Sequence, residues 1–218
     1  EYTGMKVVRR GALPVGGDSG LGEIRRLALG DLGPDPAARG AVREVDVWPS
    51  FVEKVLSFID PAAIRPLRVV VDAANGMAGA MLPPVLERLP QLEVVRCFFE
   101  PDGSFPNHEP NPLLPENREF IVAKTREEGA DLGVAYDGDA DRCFFVDDSG
   151  EFVPGDFVTA LLAETMLARA PGGKVIYDVR ASWAVPETIE RAGGRPLVNR
   201  VGHAFIKQRM RKEDAVFA

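Results

Sequence analysis

The sequence has 218 residues, of which 45% are hydrophobic, and this suffices to pack the cores of one large domain or two modest ones. A formal net charge of -7 and a pI near 5.0 argue against nucleic acid as the main partner, because neutralising phosphates requires a basic surface, although a local basic pocket could still hold a small anion. No apolar run reaches membrane-spanning length and the start lacks a signal-peptide pattern, so we expect a cytoplasmic protein with no membrane partner.

The predicted elements begin with a helix and a linker. In "GDSGLGEIRRLAL" apolar residues recur at roughly helical spacing behind Asp18 or Ser19, either of which could cap the helix. The stretch "GDLGPDPAARG", residues 30–40, is rich in glycine and proline and predicts a linker. Helical spacing resumes in "VWPSFVEKVLSFI", whose apolar face we expect to pack on the unit that follows.

An α/β pattern starts at Leu67. "LRVVVD" predicts a strand covered on both faces, and the turn "AANGMAG" leads from it into "AMLPPVLERL", a helix with a proline pair at its start or at a kink. "LEVVRCFF" predicts the next strand, which is followed by a proline-rich extended loop, "EPDGSFPNHEPNPLLPEN". "EFIVAKTREEG" predicts a helix, "ADLGVAYD" a strand, and "CFFVDDSGEFV" a hairpin that turns at "DDSG".

A second α/β unit begins near residues 150–154. Its predicted helices are "GDFVTALLAETMLAR", "AVPETIERAG" and "HAFIKQRMRK", and its strands are "KVIYDV" and "RPLVNR". The final "AVFA" predicts the start of another strand. Because the chain begins with Glu1 and stops in this strand-like run, we expect it to be a piece of a longer protein.

The aspartates of "GVAYDGDADRCFF" predict a cation site. Asp137, Asp139 and Asp141 lie two apart directly after an apolar strand, with small residues between them, so a tight loop could bring their carboxylates together. Three carboxylates this close cannot all stay ionised without a cation to offset their repulsion. Since one short loop supplies only three oxygens, Mg²⁺ shared with a phosphate suits the site better than a closed calcium cage. Arg142 follows and could hold a phosphoryl oxygen in bidentate fashion.

Two other interpretations of this loop fit less well. An EF-hand would have glycine at the sixth position, where Arg142 stands, and glutamate at the twelfth, where Asp148 stands, and it would lie between helices rather than strand-like runs. A solvated acidic turn does not need converging carboxylates at the carboxyl end of a core strand, which is where α/β sheets bind their ligands. The sequence therefore favours a magnesium site.

Four segments, taken together, resemble the α-D-phosphohexomutase superfamily and, within it, the phosphomannomutase/phosphoglucomutase branch. They are "YTGMKVVRRGALPVGGDSGL", "PNHEPNPLLPEN", "GVAYDGDADRCFF" and "VGHAFIKQRMRKEDAVFA", which occur in the family's order and span essentially the whole chain. The resemblance implies consecutive α/β domains of the phosphohexomutase type, with mixed sheets covered by helices. Residues 1–40 would then be the remainder of domain 1 and a linker, 41–151 the metal-binding domain 2, and 152–218 the start of domain 3.

The resemblance also implies an activity. It is a Mg²⁺-dependent isomerase reaction that moves phosphate between O6 and O1 of mannose or glucose phosphates through a phosphoserine and a bisphosphorylated sugar. "GHAFIKQRMRKED" looks more like the mannomutase branch than the phosphoglucosamine mutase branch, which stays an alternative. The family's phosphoserine loop, sugar-recognition loop and C-terminal domain do not occur in this sequence, so we expect the chain alone to be inactive. A noncatalytic divalent-metal or sugar-phosphate binding module is the other alternative.

For the loop residues, the resemblance implies individual roles. Asp137, Asp139 and Asp141 match the family's three magnesium ligands, the fourth ligand being a phosphoserine oxygen. Arg142 matches the arginine that contacts the phosphoryl group. A metal surrounded by cationic side chains is what phosphoryl transfer requires, because the reaction depends on alignment and charge stabilisation.

The resemblance gives roles to three further basic residues. Lys6, in "YTGMK", matches a lysine that could move the hydroxyl proton, although a lone lysine is more often a solvated surface group. His203, in "VGHAFIK", matches a substrate-contacting histidine that can also act as acid or base, and the alternative is a helix-terminus or core histidine. Arg180, in "YDVRASW", matches a basic position near the sugar phosphate, where binding suits arginine better than proton transfer. We expect His108 to be structural.

The stretch "DAANGMAGA" has only part of a dinucleotide-binding fingerprint. It lacks the full G-x-G-x-x-G pattern, and the resemblance makes it the first strand-to-helix turn of domain 2. We therefore interpret Gly76 and Gly79 as residues that allow tight turning and close packing.

Overall fold

The computed structural model describes residues 7–30 and 40–218, and the chain divides into two compact units. One unit is Glu44–Val158, and the other combines Glu1–Arg43 with Thr159–Ala218. Lys6 and nearly all of the predicted linker lie outside the described residues. No helix in the described part is long and apolar enough to cross a membrane.

Strands and helices alternate along most of the described chain, as the sequence predicts. The strands are β1 (Val8–Arg9), β2 (Leu13–Pro14), β3 (Leu67–Asp72), β4 (Leu92–Cys97), β5 (Leu132–Tyr136), β6 (Cys143–Val146), β7 (Phe152–Val153), β8 (Lys174–Asp178) and β9 (Arg195–Asn199). The α-helices are α1 (Gly22–Leu29), α2 (Trp48–Leu56), α3 (Ala78–Met81), α4 (Pro83–Leu86), α5 (Glu119–Glu127), α6 (Gly155–Arg169), α7 (Ala184–Arg191) and α8 (His203–Glu213).

The unit Glu44–Val158 contains a mixed five-stranded sheet with the order β4-β3-β5-β6-β7. β3 pairs in parallel with β4 and β5, whereas β5 with β6 and β6 with β7 are antiparallel pairs. Because β3, β4 and β5 are parallel, their carboxyl ends meet at one edge of the sheet. The segments that leave these three ends are therefore neighbours, and they build the site described below.

Both faces of β3 are covered, which explains why its sequence is a continuous apolar run. Val70 belongs to a core cluster with Ile121 of α5. Val69 and Val71 belong to a second cluster, against which Leu82 packs. The helix α2 packs on α4 and the residues after it through a third cluster of Val52, Leu56, Val85 and Leu89. The sequence predicts that α2 packs on the α/β segment that follows it, and this packing on α4 is confirmed.

Two predictions about helix ends need correction. "AMLPPVLERL" forms two short helices, α3 and α4, rather than one, because Pro83 has no N–H to continue the first and instead begins the second. Neither Asp18 nor Ser19 caps α1, which begins at Gly22. The Ser19 hydroxyl instead accepts a hydrogen bond from the Gly16 N–H at 2.7 Å and closes the turn before the helix.

The other unit contains the second α/β segment. β8 and β9 pair in parallel, and a parallel bridge between Val175 and Phe217 adds the start of a further strand, as "AVFA" predicts. β1 and β2 form a short antiparallel ribbon. A core of fully buried side chains from α6, β8 and α7 holds the α/β part together: Ala163, Leu167, Val175, Val185 and Ile189.

Candidate metal and phosphate site

The aspartate loop, residues 137–142, connects β5 to β6. Tyr136 and Cys143 are the last paired residues of the two strands, so the loop closes directly on the sheet. Its backbone is tight: the Ala140 N–H donates to the Asp137 carbonyl at 3.1 Å, and Ala140 has a φ of 58°. This positive φ is unusual for a residue with a Cβ, and it reverses the direction of the chain within the loop. The apolar strand and the small residues thus place the acidic side chains together.

Asp137, Asp139 and Asp141 converge as the sequence predicts. Each can offer one carboxylate oxygen such that these oxygens all lie within 4.8 Å of one another. Asp137 is buried, with 1% of its surface exposed, whereas the other two aspartates are exposed. The loop therefore has one acidic group inside the protein and two at its surface.

Arg142 offsets the buried charge of Asp137. Its backbone N–H donates to Asp137 Oδ1 at 3.0 Å, and its Nε–H donates to Asp137 Oδ2 at 2.6 Å. The same Nε lies 3.6 Å from Asp141 Oδ1. The guanidinium thus contacts the acidic cluster with its Nε. Its two terminal amino groups are the atoms that can hold a phosphoryl group in bidentate fashion.

The donor set fits a hard divalent cation. Carboxylate oxygens are the ligands that Mg²⁺ and Ca²⁺ prefer, and close packing of three of them is favourable only with positive charge between them. Three protein ligands leave several coordination positions for water or a phosphate, as Mg²⁺ sites that handle phosphates usually do. Asp137, Asp139 and Asp141 would hold the ion, and Arg142 beside them adds the positive charge that a phosphate requires.

The turn after β3 supports the aspartate loop from one side. The Met77 N–H donates to the Gly138 carbonyl at 3.0 Å. A Cβ on Gly76 would lie 2.7 Å from that same carbonyl oxygen, closer than any real contact of this kind. The close packing predicted for Gly76 is therefore confirmed, and its partner is the aspartate loop itself. No feature of the sequence alone indicated this partner.

The loop after β4 supports the aspartate loop from another side. One of its residues, His108, also pairs with the buried Asp72 at the end of β3. A Cβ on Gly138 would meet Pro110 at 3.3 Å and Phe105 at 3.5 Å, so these side chains lie against the loop. Two residues before Pro110, His108 Nε2 lies 2.9 Å from Oδ2 of the buried Asp72. The hydrogen bond that the His108 ring donates to Asp72 raises the pKa of His108. Sequence reasoning missed this pair, although Asp72 ends an apolar strand, a place where α/β proteins put functional side chains.

The other basic residues singled out from the sequence lie in the second unit or outside the described residues. Arg180 lies in the turn after β8, where its Nη2 is 2.7 Å from Asp178 Oδ2 and its guanidinium lowers the pKa of that carboxyl. His203 is the first residue of α8, is exposed, and follows Gly202, whose φ is 124°. Lys6 lies outside the described residues. Their predicted roles stay predictions.

Two family models match the chain. Residues 49–150 match the model described as phosphoglucomutase/phosphomannomutase, alpha/beta/alpha domain II. Residues 154–218 match the model for domain III of the same family.

Curated relatives match over the full chain. A phosphomannomutase of Vibrio cholerae is 42% identical over 221 residues, which cover 100% of this chain and 48% of the relative. A protein named "Phosphohexose mutases" from Xanthomonas campestris pv. campestris is 45% identical over 217 residues, with 100% and 48% covered. The chain thus spans about half the length of the curated relatives that it matches.

Solved structures share the fold. A phosphoglucomutase/phosphomannomutase family protein from Burkholderia thailandensis superposes with a TM-score of 0.73 at 38% identity, covering 78% of this chain and 36% of that protein. A protein described as a putative phosphomannomutase from Thermus thermophilus gives a TM-score of 0.71 at 24% identity, covering 82% and 42%, and shows the fold alone.

Proposed function

Because the chain belongs to the phosphoglucomutase/phosphomannomutase family, we propose that the intact protein is a Mg²⁺-dependent mutase that interconverts hexose 6-phosphate and hexose 1-phosphate, with mannose phosphates as the main substrates. The relatives named phosphomannomutase, at 42% and 44% identity, support this substrate class. The chain spans about half the length of these relatives, so we assign the activity to the intact protein and expect none from the 218 residues alone.

The observation that carries the proposal is the convergence of three carboxylates and one guanidinium at the carboxyl end of β5. Asp137, Asp139 and Asp141 bring carboxylate oxygens within 4.8 Å of one another, and Arg142 contacts two of these three aspartates. A solvated turn would gain nothing from this arrangement, whereas a phosphoryl-transfer site needs it. Bound Mg²⁺ would act there as a Lewis acid on a phosphoryl oxygen.

In the proposed reaction the chain's own residues hold and align the phosphoryl group. Transfer forms a bond from phosphorus to a sugar hydroxyl oxygen and breaks the bond from phosphorus to the serine oxygen. The sugar hydroxyl gives up one proton to a base, and the departing serine oxygen takes up one proton to become a hydroxyl. Arg142 would bind an equatorial phosphoryl oxygen and stabilise charge there. Lys6 would move the proton, and Arg180 and His203 would bind the sugar phosphate, His203 also serving as acid or base. The phosphate would be returned to the serine from the bisphosphorylated sugar.

The experiment is a ³¹P NMR assay of the intact protein with Mg²⁺, a hexose bisphosphate to phosphorylate the serine, and mannose 1-phosphate, glucose 1-phosphate or glucosamine 1-phosphate in parallel. We expect conversion to the 6-phosphates, fastest for mannose, and loss of conversion in Asp139→Asn. Asp148→Asn is the matched control because it removes the same charge from an exposed turn. The absence of any 6-phosphate, or full activity of Asp139→Asn, would overturn the proposal.

A further inference from the structure

The His108 ring lies between two oxygen acceptors, and its hydrogen bond to Asp72 favours the charged form by raising its pKa. Its Nδ1 is 3.0 Å from the Glu109 carbonyl oxygen and its Nε2 is 2.9 Å from Asp72 Oδ2. Both neighbours offer oxygen acceptors, so both contacts are hydrogen bonds when each ring nitrogen carries a proton, as in an imidazolium. The pair is shielded from solvent, with side-chain exposures of 14% for His108 and 1% for Asp72. The rings of Phe98 and Phe120 lie next to the His108 ring, with centroids 5.6 and 6.3 Å from it.

The Asp72 carboxylate connects this ring to the turn that follows β3. Its Oδ1 accepts a hydrogen bond from the Ala74 N–H at 2.8 Å. Ala74 and Asn75 both have left-handed φ angles, 48° and 56°. Residues with a Cβ seldom adopt this conformation, so contacts with the surrounding structure have to stabilise the turn.

Next to His108, the Asn107 Nδ2 donates to Asn75 Oδ1 at 2.7 Å. The loop that contains His108 and the turn after β3 are therefore tied together by these contacts. Earlier in the same loop, the Asp102 N–H donates to the Asn75 carbonyl at 2.8 Å, and the Asn75 Nδ2 donates to the Glu100 carbonyl at 2.8 Å.

Both tied segments contact Gly138, which lies between the first two aspartates of the cation site. The turn reaches it through the Met77 N–H, 3.0 Å from the Gly138 carbonyl oxygen. The loop reaches it through Pro110, which would lie 3.3 Å from a Cβ at Gly138. A shift in either segment would therefore move the backbone on which Asp137 and Asp139 are placed.

We propose that His108 is a positioning residue for the metal site: its hydrogen bond to Asp72 holds the two segments that fix the aspartate loop at Gly138. His108 acts through Asp72, the turn and Pro110 rather than by contact with the metal or substrate. The inference rests on the proposed function, since it assumes that the aspartate loop binds a divalent cation.

The test uses two conservative variants of His108, which differ in whether an N–H donor remains at the position of Nε2 or at that of Nδ1. The side-chain amide of His108→Gln can occupy the position of Nε2 and donate to Asp72, whereas the shorter His108→Asn can reach only the position of Nδ1. Mn²⁺ is the probe, and its affinity for the 218-residue chain is measured from the relaxation of water protons. We expect His108→Asn to bind Mn²⁺ about tenfold more weakly, and His108→Gln to stay within about twofold of the parent because it keeps the bond to Asp72.

Asp139→Asn and Asp148→Asn separate the possible failures. If the parent binds no Mn²⁺, or binds it no better than Asp139→Asn, the proposed metal site is overturned and the positioning role with it. If Asp139→Asn binds weakly but His108→Asn binds as well as Asp148→Asn and the parent, only the positioning role is overturned. Equal losses in both His108 variants would also overturn it, because donation to Asp72 would then not matter.

A measurement on the parent decides the matter if His108→Asn does not fold. Addition of Mg²⁺ to the ¹⁵N-labelled chain should shift the ring nitrogen signals of His108 in long-range ¹H–¹⁵N spectra. The same addition to Asp139→Asn should leave them in place. Signals of His108 that do not move in the parent while the backbone signals of the aspartate loop do would overturn the coupling.

Discussion

The amide of Met77 donates to the carbonyl oxygen of Gly138 at 3.0 Å, and this bond joins the turn after β3 to the aspartate loop after β5. The two segments are far apart in the sequence but leave neighbouring parallel strands at the same edge of the sheet. The acidic residues are therefore positioned by a backbone contact from a different α/β connection, and not only by the geometry of their own loop. Substitutions in the turn should affect metal binding at the proposed site.

The first prediction concerns Gly76→Ala. The added Cβ would lie 2.7 Å from the Gly138 carbonyl oxygen, a backbone atom that cannot move without moving the aspartate loop. We expect a loss of about 1–3 kcal/mol in the free energy of unfolding and a weaker affinity for Mn²⁺. Unfolding of Glu44–Val158 can be followed by the fluorescence of Trp48 in a Trp183→Phe background, since the chain has only 2 tryptophans.

Gly103→Ala is the matched control for this substitution. A Cβ at Gly103 would have no neighbour within 4 Å, so the same chemical change should shift the free energy of unfolding by less than about 0.5 kcal/mol. Equal effects of the two substitutions would show that the close approach of Gly76 to Gly138 does not matter.

The second prediction separates the roles of Arg142 and the aspartates. Arg142→Gln removes the guanidinium that we propose binds the phosphoryl group. It also removes a positive charge that repels Mg²⁺ at the aspartate loop. We expect kcat of the intact enzyme to fall by about 100-fold, the usual effect of removing one transition-state donor. The affinity for Mg²⁺ should fall little or rise, because Asp137, Asp139 and Asp141 all remain.

Arg65→Gln serves as the control for Arg142, because Arg65 is a surface arginine with 74% of its side chain exposed and only a 3.9 Å contact to Asp131. It should leave both kcat and the affinity for Mg²⁺ unchanged. If Arg142→Gln loses metal affinity and activity in parallel, Arg142 supports the metal site and the assignment to the phosphoryl group is wrong.

The third prediction is a pH dependence of stability. The hydrogen bond that the His108 ring donates to Asp72 raises the pKa of His108 above its ordinary value of 6.5. A folded-state pKa above the unfolded one means that the pair contributes its full stability below about pH 6.5 and loses it as the pH rises through the folded-state pKa. Burial raises the pKa of the neighbouring Cys97 thiol to about 11, so that thiol stays protonated over this range.

The measurement is the free energy of unfolding from urea curves between about pH 6 and pH 9, for the parent and for His108→Gln, which carries no titrating ring. The advantage of the parent over the variant should shrink as the pH rises. An advantage that stays constant or grows over this range would mean that His108 is not charged in the folded chain.

Much of the fold and the acidic cluster could be predicted from the sequence because the signals are local. "LRVVVD" indicates a strand covered on both faces, and the alternate spacing of Asp137, Asp139 and Asp141 indicates a shared cation. The family match and the five-stranded mixed sheet confirm the predicted fold class. The strand and the acidic cluster each depend on residues that are neighbours in the sequence, whereas the fold class depends on four segments spread over the chain.

The support of the site could not be predicted, because it depends on contacts between distant segments. His108 and Asp72 are separated by 36 positions, and no local pattern shows which strand end the loop after β4 will meet. Pro83 illustrates a different limit: a proline pair in a helical pattern fits either a start or a kink, and only the packing around it decides.

The most direct test of the central claim is calorimetry of Mg²⁺ binding to the parent, Asp139→Asn and Asp148→Asn. The parent and Asp148→Asn should bind one ion with the same affinity, and Asp139→Asn should bind it at least about tenfold more weakly, because two carboxylates in place of three hold a hard cation poorly. An affinity that is the same in all three proteins would contradict the assignment of the aspartate loop as a magnesium site.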